Sequence, residues 1–397
     1  MKKFIIVCFV LLGSFIPFSV LALDNSDNKK NENVEDNTRL ISNAVSGILI
    51  EANSGKILFE KEKDKQVPIA SMTKMVAQII ILENIESGNI KWTDTVTVSK
   101  NAADMGGSQI YISEGEKISI RDLMKGISMA SGNDATVQMA EVIAGSEVNF
   151  VKLMNKKVKD LGLKNTYFKN CTGLDEDGHY STAYDMAMIA RELVVNHPDI
   201  LKFSSIYEDY LREDTKNKFW LVNTNKLVRY YEGADGLKTG HTDNAKYCLA
   251  ATAKRKKLRL IAIVLGEENG KIRNNETMAL LDYGFNSVKY NLLKEKGTII
   301  KQIHLDKSDS NYVDIILNND LGVIEDNKLR KHNYKYKVIV KDIKLPVKKN
   351  SVVGEIKVFE NGEVVSRGDL IISKNINNIG YLRLLLDSIR NIITGIY

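Results

Sequence analysis

Proline and cysteine are scarce in this chain, with four prolines and three cysteines among 397 residues. So little proline excludes a collagen-like or proline-rich filament. Cys8, Cys171 and Cys248 show no CxxC spacing, which excludes a disulfide framework or a cysteine zinc site. An excess charge of one sign is also missing. Lys and Arg number 56 against 50 Asp and Glu, and the difference of 6 is spread along the chain. A nucleic-acid protein would concentrate it in a basic tract or face, so no nucleic-acid partner is expected. No cofactor signature appears. What remains is 44% hydrophobic and 27% charged residues, enough chain for two or three ordinary domains.

The ends of the chain are the least globular parts. Residues 1–22 read as a cleaved signal peptide. Lys2 and Lys3 precede a short apolar run from Phe4 to Val20, and Val20-Leu21-Ala22 supplies small residues for cleavage. The apolar part is short for a stable membrane span. The protein is therefore expected to be exported, to the outer face of the cytoplasmic membrane or the cell wall. Cys8 lies within the removed segment. Residues 23–37, LDNSDNKKNENVEDN, are almost wholly polar and read as a flexible leader.

From Ala44 the texture becomes globular. Two β-branched runs flank Asn53-Ser54-Gly55, the pattern of a β-hairpin. A helix-rich stretch is expected from Ser71 to Asn196, ended by His197-Pro198. KYCLAATA and LRLIAIVLG read as a second hairpin, and NNETMALLDYGF as a closing helix. Short alternating stretches with Asn-Gly and Asn-Asp turns follow Ser287, the pattern of a small all-β domain over 288–374. In 375–397, Leu382, Leu385, Leu386, Ile389, Ile392, Ile393 and Ile396 fall on one helical face, with Arg383, Asp387 and Arg390 opposite. That amphipathic helix suits a membrane surface, and it is too short and too charged to span.

The strongest chemical signal is Ser71-Met-Thr-Lys74, opening an apolar run. Three residues apart on a helix, the hydroxyl and the amine lie on one face. A serine hydroxyl needs a neighbouring base, and a lysine serves only if burial or nearby cations lower its pKa. A helix start also aims backbone N–H groups at developing negative charge. Ser-x-x-Lys alone is a poor signal, since Ser26-Asp27-Asn28-Lys29 in the leader repeats it. Two further elements give it context. Ser131-Gly132-Asn133 lies between helical patterns, and Lys238-Thr239-Gly240 precedes the strand KYCLAATA. Gly240 leaves room for a substrate backbone at the strand edge. Lys238 and Thr239 suit a carboxylate, and the Lys238 charge would help keep Lys74 neutral.

Ser-x-x-Lys, Ser-x-Asn and Lys-Thr-Gly, in that order, resemble the penicillin-binding proteins and serine β-lactamases. The strings GGSQIYISEGEKISIRDLMKGISMASGNDA, DEDGHYSTAYDMAMIAREL and GADGLKTGHTDNAKYCLAATA are similar to low-molecular-mass, membrane-attached D-alanyl-D-alanine carboxypeptidases. The resemblance covers nearly the whole mature chain. It implies an α+β catalytic domain over 38–287, an antiparallel sheet with a helical cluster, followed by the all-β domain and the terminal helix. It also implies that Ser71 is acylated by the penultimate D-Ala of a peptidoglycan stem peptide, with Lys74 as base and Ser131 relaying a proton to the leaving amine. Asn133 would hold the substrate amide and Lys74. Backbone N–H groups of Ser71 and His241 would form the oxyanion hole, and Lys238, Thr239 and Arg273 would bind the terminal carboxylate. β-Lactam antibiotics would acylate Ser71, and no cofactor or metal is implied.

Other readings meet specific obstacles. A β-lactamase of the similar class adds a Glu-x-x-Leu-Asn string, and none lies between Ser131 and Lys238. Transpeptidases and endopeptidases share the acyl-enzyme, and the β domain with its terminal helix favours the carboxypeptidase. A non-enzymatic penicillin sensor has no need of both Lys74 and Lys238. The His241 side chain is expected to be incidental, because the base role is filled. Asp175, Asp177 and His179 do not complete a twelve-residue calcium loop, which would end at Met186, so they read as a turn. Cys248 reads as a small packed side chain. Lys246 departs from the family pattern, where many relatives carry Gly at the start of this strand.

Overall fold

The computed structural model describes residues 39–213, 215–305, 308–310, 312–326 and 332–379. The expected signal peptide and leader, and most of the expected terminal helix, lie outside the described residues.

The first hairpin forms as its β-branched runs dictate, from β1 (Ser46–Glu51) and β2 (Ile57–Lys61). Its turn is held by the buried Glu51 carboxylate, which accepts from the N–H of Asn53 (2.9 Å) and of Ser54 (2.7 Å). Ser71 lies in a short 3₁₀ turn, Ala70–Thr73, that runs into α1 (Lys74–Glu86). Apart from Lys74 and Gln78 the helix is apolar around its circumference through Leu82, and it is buried accordingly. Two short paired strands follow, β3 (Thr95–Thr97) and β4 (Lys117–Ser119).

The helical cluster continues with α2 (Asn133–Ala144), α3 (Glu147–Asp160) and α4 (Ala183–Val195). Hydroxyl caps start the last two: Ser146 accepts from Asn149 N–H, and Thr182 from Asp185 N–H. A small hairpin of β5 (Glu208–Leu211) and β6 (Phe219–Val222) leads to the long strands β7 (Ala234–Thr242), β8 (Lys246–Arg255) and β9 (Leu258–Glu267). The closing helix α5 (Gly270–Ser287) is capped by Asn269, whose side chain accepts from Lys271 and Ile272 N–H.

These strands form one antiparallel sheet in the order β2-β1-β9-β8-β7. Ile48, Ile50, Ala250, Ile261 and Ile263 face the helical cluster. Leu49, Leu249, Ala251, Leu260 and Ala262 face α5 through Leu280 and Leu281. Both faces are covered, which is why β1 and β9 read as unbroken apolar runs instead of alternating ones.

The all-β domain comprises β10 (Val288–Lys294), β11 (Ile299–His304), β12 (Tyr312–Leu317), β13 (Leu321–Asp326), β14 (Lys335–Val340), β15 (Val352–Glu360) and β16 (Glu363–Ile372). Its main sheet runs β11-β12-β16-β15-β14, while β10 pairs with β13. Val313, Ile315, Ile356, Val358, Leu370 and Ile372 form its core. Ile376 and Asn378 make single bridges with Val347 and Ser308, so the chain stays extended to that point because Ile376 fills this core. The amphipathic stretch from residue 380 lies outside the described residues. No described helix is long and apolar enough to cross a membrane. The β domain meets the catalytic domain through Ile324, which joins the core beneath α5, and through Lys257–Asp320 at 3.1 Å.

One polar knot fixes the start of β7, the strand that carries Lys238. The Arg259 guanidinium on β9 donates to both Asp235 oxygens (2.8 and 2.7 Å) and to Thr252 Oγ1 on β8 (2.8 Å). Asp235→Ala strands this largely buried guanidinium. It should lower the unfolding free energy by about 1.5–3 kcal/mol, the range for hydrogen bonds to charged groups. A urea titration checks this, as a lower midpoint at unchanged slope.

Candidate active site

The Ser71 turn is held from three directions. Thr73 Oγ1 donates to the Ala70 carbonyl at 2.8 Å. His179 supports Thr73 in turn: its Nδ1 accepts from Lys169 N–H (3.2 Å), which leaves the proton on Nε2, 2.8 Å from Thr73 Oγ1. Burial lowers the pKa of this imidazole to about 4, so it is neutral. Gly173 and Gly240 press on the turn from the other sides. A Cβ on Gly173 would lie 1.9 Å from the Ala70 carbonyl oxygen, and one on Gly240 would lie 2.6 Å from that of Ile69. Gly240 is thus required by the turn itself and not only by an approaching substrate.

Lys74 follows on the first turn of α1 and is fully buried. Its Nζ lies 2.9 Å from Ser71 Oγ, and it donates to Asn133 Oδ1 and to the Thr172 carbonyl, both at 2.7 Å. Burial lowers its pKa to about 7, while the more distant Cys171 and Asp134 oppose the shift. The expected help from Lys238 is not the cause. The influence is felt at Lys238, whose pKa is pushed well below normal by burial and then by the charges of Lys74 and Arg273.

Asn133 begins α2 and is oriented by its other amide atom, since Nδ2 donates to the Gly106 carbonyl at 2.7 Å. The neighbouring Asp134 accepts from the N–H groups of Ile110 and Ile112, fastening the 106–112 loop to this helix start. Ser131 is buried in left-handed backbone (φ 62°), and its Oγ has no hydrogen-bond partner among the described residues. Such strain in a non-glycine residue persists only where the surroundings impose it.

On β7, the buried Lys238 ammonium donates to the Thr239 carbonyl (2.9 Å), and Thr239 Oγ1 donates to Thr224 Oγ1 (2.8 Å). Arg273, on the first turn of α5, is buried behind the strand pair with Nη1 3.5 Å from the Cys248 carbonyl. Burial lowers its pKa also. Among the described residues, none of Lys74, Lys238 and Arg273 forms an ion pair, so the pocket is an uncompensated cationic hole.

The structure therefore brings Ser71, Lys74 and Asn133 into direct contact and sets Lys238, Thr239 and Gly240 on the adjoining strand. The His241 side chain is exposed and packs on Tyr247, with ring centroids 4.1 Å apart. Asp175 accepts from Thr242 Oγ1 (2.7 Å), and His179 serves the Ser71 turn. Cys248 is buried, its thiol directed to the Ala245 carbonyl. Lys246 takes φ 54°, the left-handed region that favours glycine, opposite Thr242. Sequence reasoning missed the Thr172 and Gly106 carbonyls, because a backbone acceptor carries no residue signature. It also missed Gly173 and His179, whose spacing from Ser71 is set by the fold alone. A hydroxyl beside a low-pKa amine, facing a cationic pocket, can attack a carbonyl next to a carboxylate.

Comparison with known proteins agrees with this geometry. Residues 32–269 match the family model described as D-alanyl-D-alanine carboxypeptidase, peptidase family S11. The chain belongs to that family. Residues 289–378 match the C-terminal domain of penicillin-binding protein 5. The chain is 40% identical over 378 residues to D-alanyl-D-alanine carboxypeptidase DacF of Bacillus subtilis (strain 168), covering 95% of each. It is 34% identical over 355 residues to D-alanyl-D-alanine carboxypeptidase DacA of Escherichia coli (strain K12), covering 87% of each. Among solved structures it is similar to penicillin binding protein 5 from Haemophilus influenzae, with a TM-score of 0.67 and 30% identity over 85% of this chain and 98% of that one. The ampicillin-bound penicillin-binding protein D2 from Listeria monocytogenes matches with a TM-score of 0.55 and 31% identity, over 61% and 97%. A low-molecular-mass penicillin-binding protein of family S11, with its α+β catalytic domain and all-β C-terminal domain, accounts for both halves.

Gly173 offers a test of how the turn is supported. Its φ is 85°, and Gly88, at φ 77° with open space around its Cβ position, is the matched control. Both alanine variants carry the backbone strain of about 1–3 kcal/mol. Only Gly173→Ala should also displace the Ser71 turn. Stopped-flow acylation by a fluorescent penicillin should be slowed at least about tenfold in Gly173→Ala and unchanged in Gly88→Ala, a loss of ~1.4 kcal/mol or more.

Proposed function

We propose that the protein is a serine D-alanyl-D-alanine carboxypeptidase that removes the terminal D-Ala from peptidoglycan stem pentapeptides. The observation that carries this reading is the environment of Lys74 Nζ. A neutral amine has two N–H groups and one lone pair. Two carbonyl-type acceptors, Asn133 Oδ1 and Thr172 O, take the N–H groups at 2.7 Å, which leaves the lone pair for the Ser71 hydroxyl at 2.9 Å. That is the hydrogen-bond pattern of a general base poised on a nucleophile.

On this reading Ser71 Oγ attacks the carbonyl of the penultimate D-Ala while its proton passes to Lys74 Nζ. The tetrahedral oxyanion is received by the N–H groups of Ser71 and His241. Ser131, whose buried hydroxyl has no other partner, passes a proton to the departing amine. The C–N bond breaks, free D-Ala leaves, and water then hydrolyses the ester with Lys74 again as base. Lys238, Thr239 and Arg273 hold the terminal carboxylate, and Asn133 the substrate amide. A β-lactam forms the same ester and, without a dedicated glutamate for deacylation, leaves slowly. The catalytic part is 38–287; the β part runs past the expected residue 374 to 379, because Ile376 fills its core, and the anchoring part is 380–397, after export directed by residues 1–22.

Purified residues 23–379, incubated with diacyl-Lys-D-Ala-D-Ala, should release D-Ala, and Ser71→Ala should release none. Lys74→Ala should abolish acylation with the fold intact, and Ser131→Ala should slow it about 10²–10⁴-fold, the usual range for an acid–base group. The wild-type acylation rate should rise with pH until Lys74 is neutral, levelling above about 7. Release undiminished in Ser71→Ala would end the proposal. Penicillin uptake without D-Ala release would instead indicate a transpeptidase, an endopeptidase or a sensor.

Attachment to the membrane surface rests on the amphipathic stretch 380–397. Deleting residues 380–397, which spares the core residue Ile376, should move the protein from the membrane pellet to the supernatant after cell fractionation. Unchanged sedimentation would refute the anchor.

A further inference from the structure

Behind Arg273 lies a buried acid that the reaction does not use. Glu267, at the end of β9, is fully buried, and neither of its carboxyl oxygens receives an N–H or O–H from the described residues. An ionised carboxylate only accepts hydrogen bonds, so burying one with no donor is strongly unfavourable. A protonated carboxyl can donate instead. The acceptor beside it is Glu276 of α5. Glu276 is equipped to carry the charge of the pair, because its oxygens accept from the N–H of Asn43 (3.1 Å), Asn43 Nδ2 (2.7 Å) and the N–H of Ala44 (3.3 Å). Burial opposes ionisation of Glu276, and the bond from Glu267 with these N–H groups outweighs it. Burial, then the Glu276 charge, raises the pKa of Glu267 to about 8.

The pair sits at the root of Arg273. Glu276 lies three residues beyond Arg273 on α5, on the same face. Glu267 lies opposite Tyr247 across the β8–β9 pair, next to Cys248, whose carbonyl Arg273 Nη1 approaches. The other charged or titratable groups facing Glu267 are Lys61 of β2, the adjacent Glu268, and Tyr247 and Cys248 of β8. Lys61 is already committed, donating to the carbonyls of Ile41 (2.8 Å), Ser42 (3.0 Å) and Ala44 (2.6 Å). Arg273 also donates to neutral acceptors, from Nε and Nη2 to Asn274 Oδ1 (3.1 and 2.9 Å), and it feels the Glu267 charge, so a negative Glu267 would compete with Asn274 for the guanidinium.

We propose that Glu267 and Glu276 form a shared-proton carboxyl pair that positions Arg273, with neutral Glu267 leaving the guanidinium uncompensated for the carboxylate of the substrate. Both are positioning residues, and the proposal rests on the role given to Arg273 above. When Glu267 loses its proton to solvent, two carboxylates repel each other at the root of α5. Arg273, held only by the neutral acceptors Asn274 Oδ1 and the Cys248 carbonyl, is drawn toward the pair and off the substrate.

The experiment compares KM and kcat for diacyl-Lys-D-Ala-D-Ala between pH 6 and 10 in wild type and Glu267→Gln. A carboxamide still donates to Glu276 but cannot ionise. Wild-type KM should rise severalfold above pH 8 with kcat little changed, and KM of the variant should stay flat. A flat wild-type KM, or the same rise in both proteins, overturns the pair. If wild type releases no D-Ala at any pH, the carboxypeptidase reading fails separately. The rate constant for acylation by benzylpenicillin, itself a carboxylate, then carries the same comparison. Infrared spectroscopy of the wild-type protein needs neither activity nor a folded variant. A protonated carboxyl C=O band present at pH 7 and lost by pH 9.5 is expected, and its absence at pH 7 refutes the shared proton.

Discussion

The burial of Lys74 is the constraint on which the rest of this structure depends. An ammonium in an apolar interior without a counter-ion is too costly to persist, so the group gives up its proton at a lower pH than in water. The apolar circumference of α1 creates that condition. Once Lys74 is neutral, its needs become geometric: two acceptors and a hydroxyl, within 2.9 Å. Asn133 and the Thr172 carbonyl come from segments far apart in the chain. The α+β fold exists at this point to bring them to one nitrogen atom.

The second constraint is crowding around the Ser71 turn. Three segments converge on Ala70–Thr73: the 172–173 loop, strand β7 and the His179 turn. Two of them approach so closely that only hydrogen fits where a Cβ would stand. Polar support replaces flexibility on the third side, where a neutral histidine relays a backbone N–H to the Thr73 hydroxyl. Such packing favours a preorganised nucleophile, because any displacement of Ser71 meets backbone atoms instead of yielding side chains.

Much of this was legible in the sequence, and the limits have physical causes. Both hairpins, the closing helix and the alternating strands of the β domain follow from periodicity and turn chemistry. Ser71, Lys74, Asn133 and Lys238 were found because motifs carry side chains. The expectation of a helix at Ser71 itself met a 3₁₀ turn, imposed by the neighbours that crowd Ala70. The lowered pKa of Lys74 follows from burial, one of the two expected causes, while Lys238, expected to help, is not among its causes. Charge effects between two lysines can be guessed from a motif, whereas burial depends on every residue around the site. Thr172, Gly106 and Gly173 act through backbone atoms or through the absence of a side chain. Glu267 differs from an ordinary surface glutamate only in having no donor near it, which no local pattern reveals.

The cationic pocket raises a difficulty for a neutral base, and its arrangement meets that difficulty. A substrate carboxylate entering a low-dielectric site would raise the pKa of every nearby lysine, and a protonated Lys74 could not accept the proton of Ser71. Lys238 and Arg273 stand on the adjoining strand and helix, away from the serine turn. They can neutralise the carboxylate where it binds, so that Lys74 faces a compensated charge and not a bare anion. Burial and the charges of Lys74 and Arg273 push Lys238 well below its normal pKa, and a bound carboxylate opposes that shift. Arg273 stays charged at every relevant pH. On the proposed reading, a peptide ending in a carboxylate is thus neutralised by Lys238 and Arg273 without silencing the base. A substrate lacking that terminus leaves the hole empty and the cations unpaired, so selectivity for a free C-terminus follows from the same buried charges that keep Lys74 near neutrality.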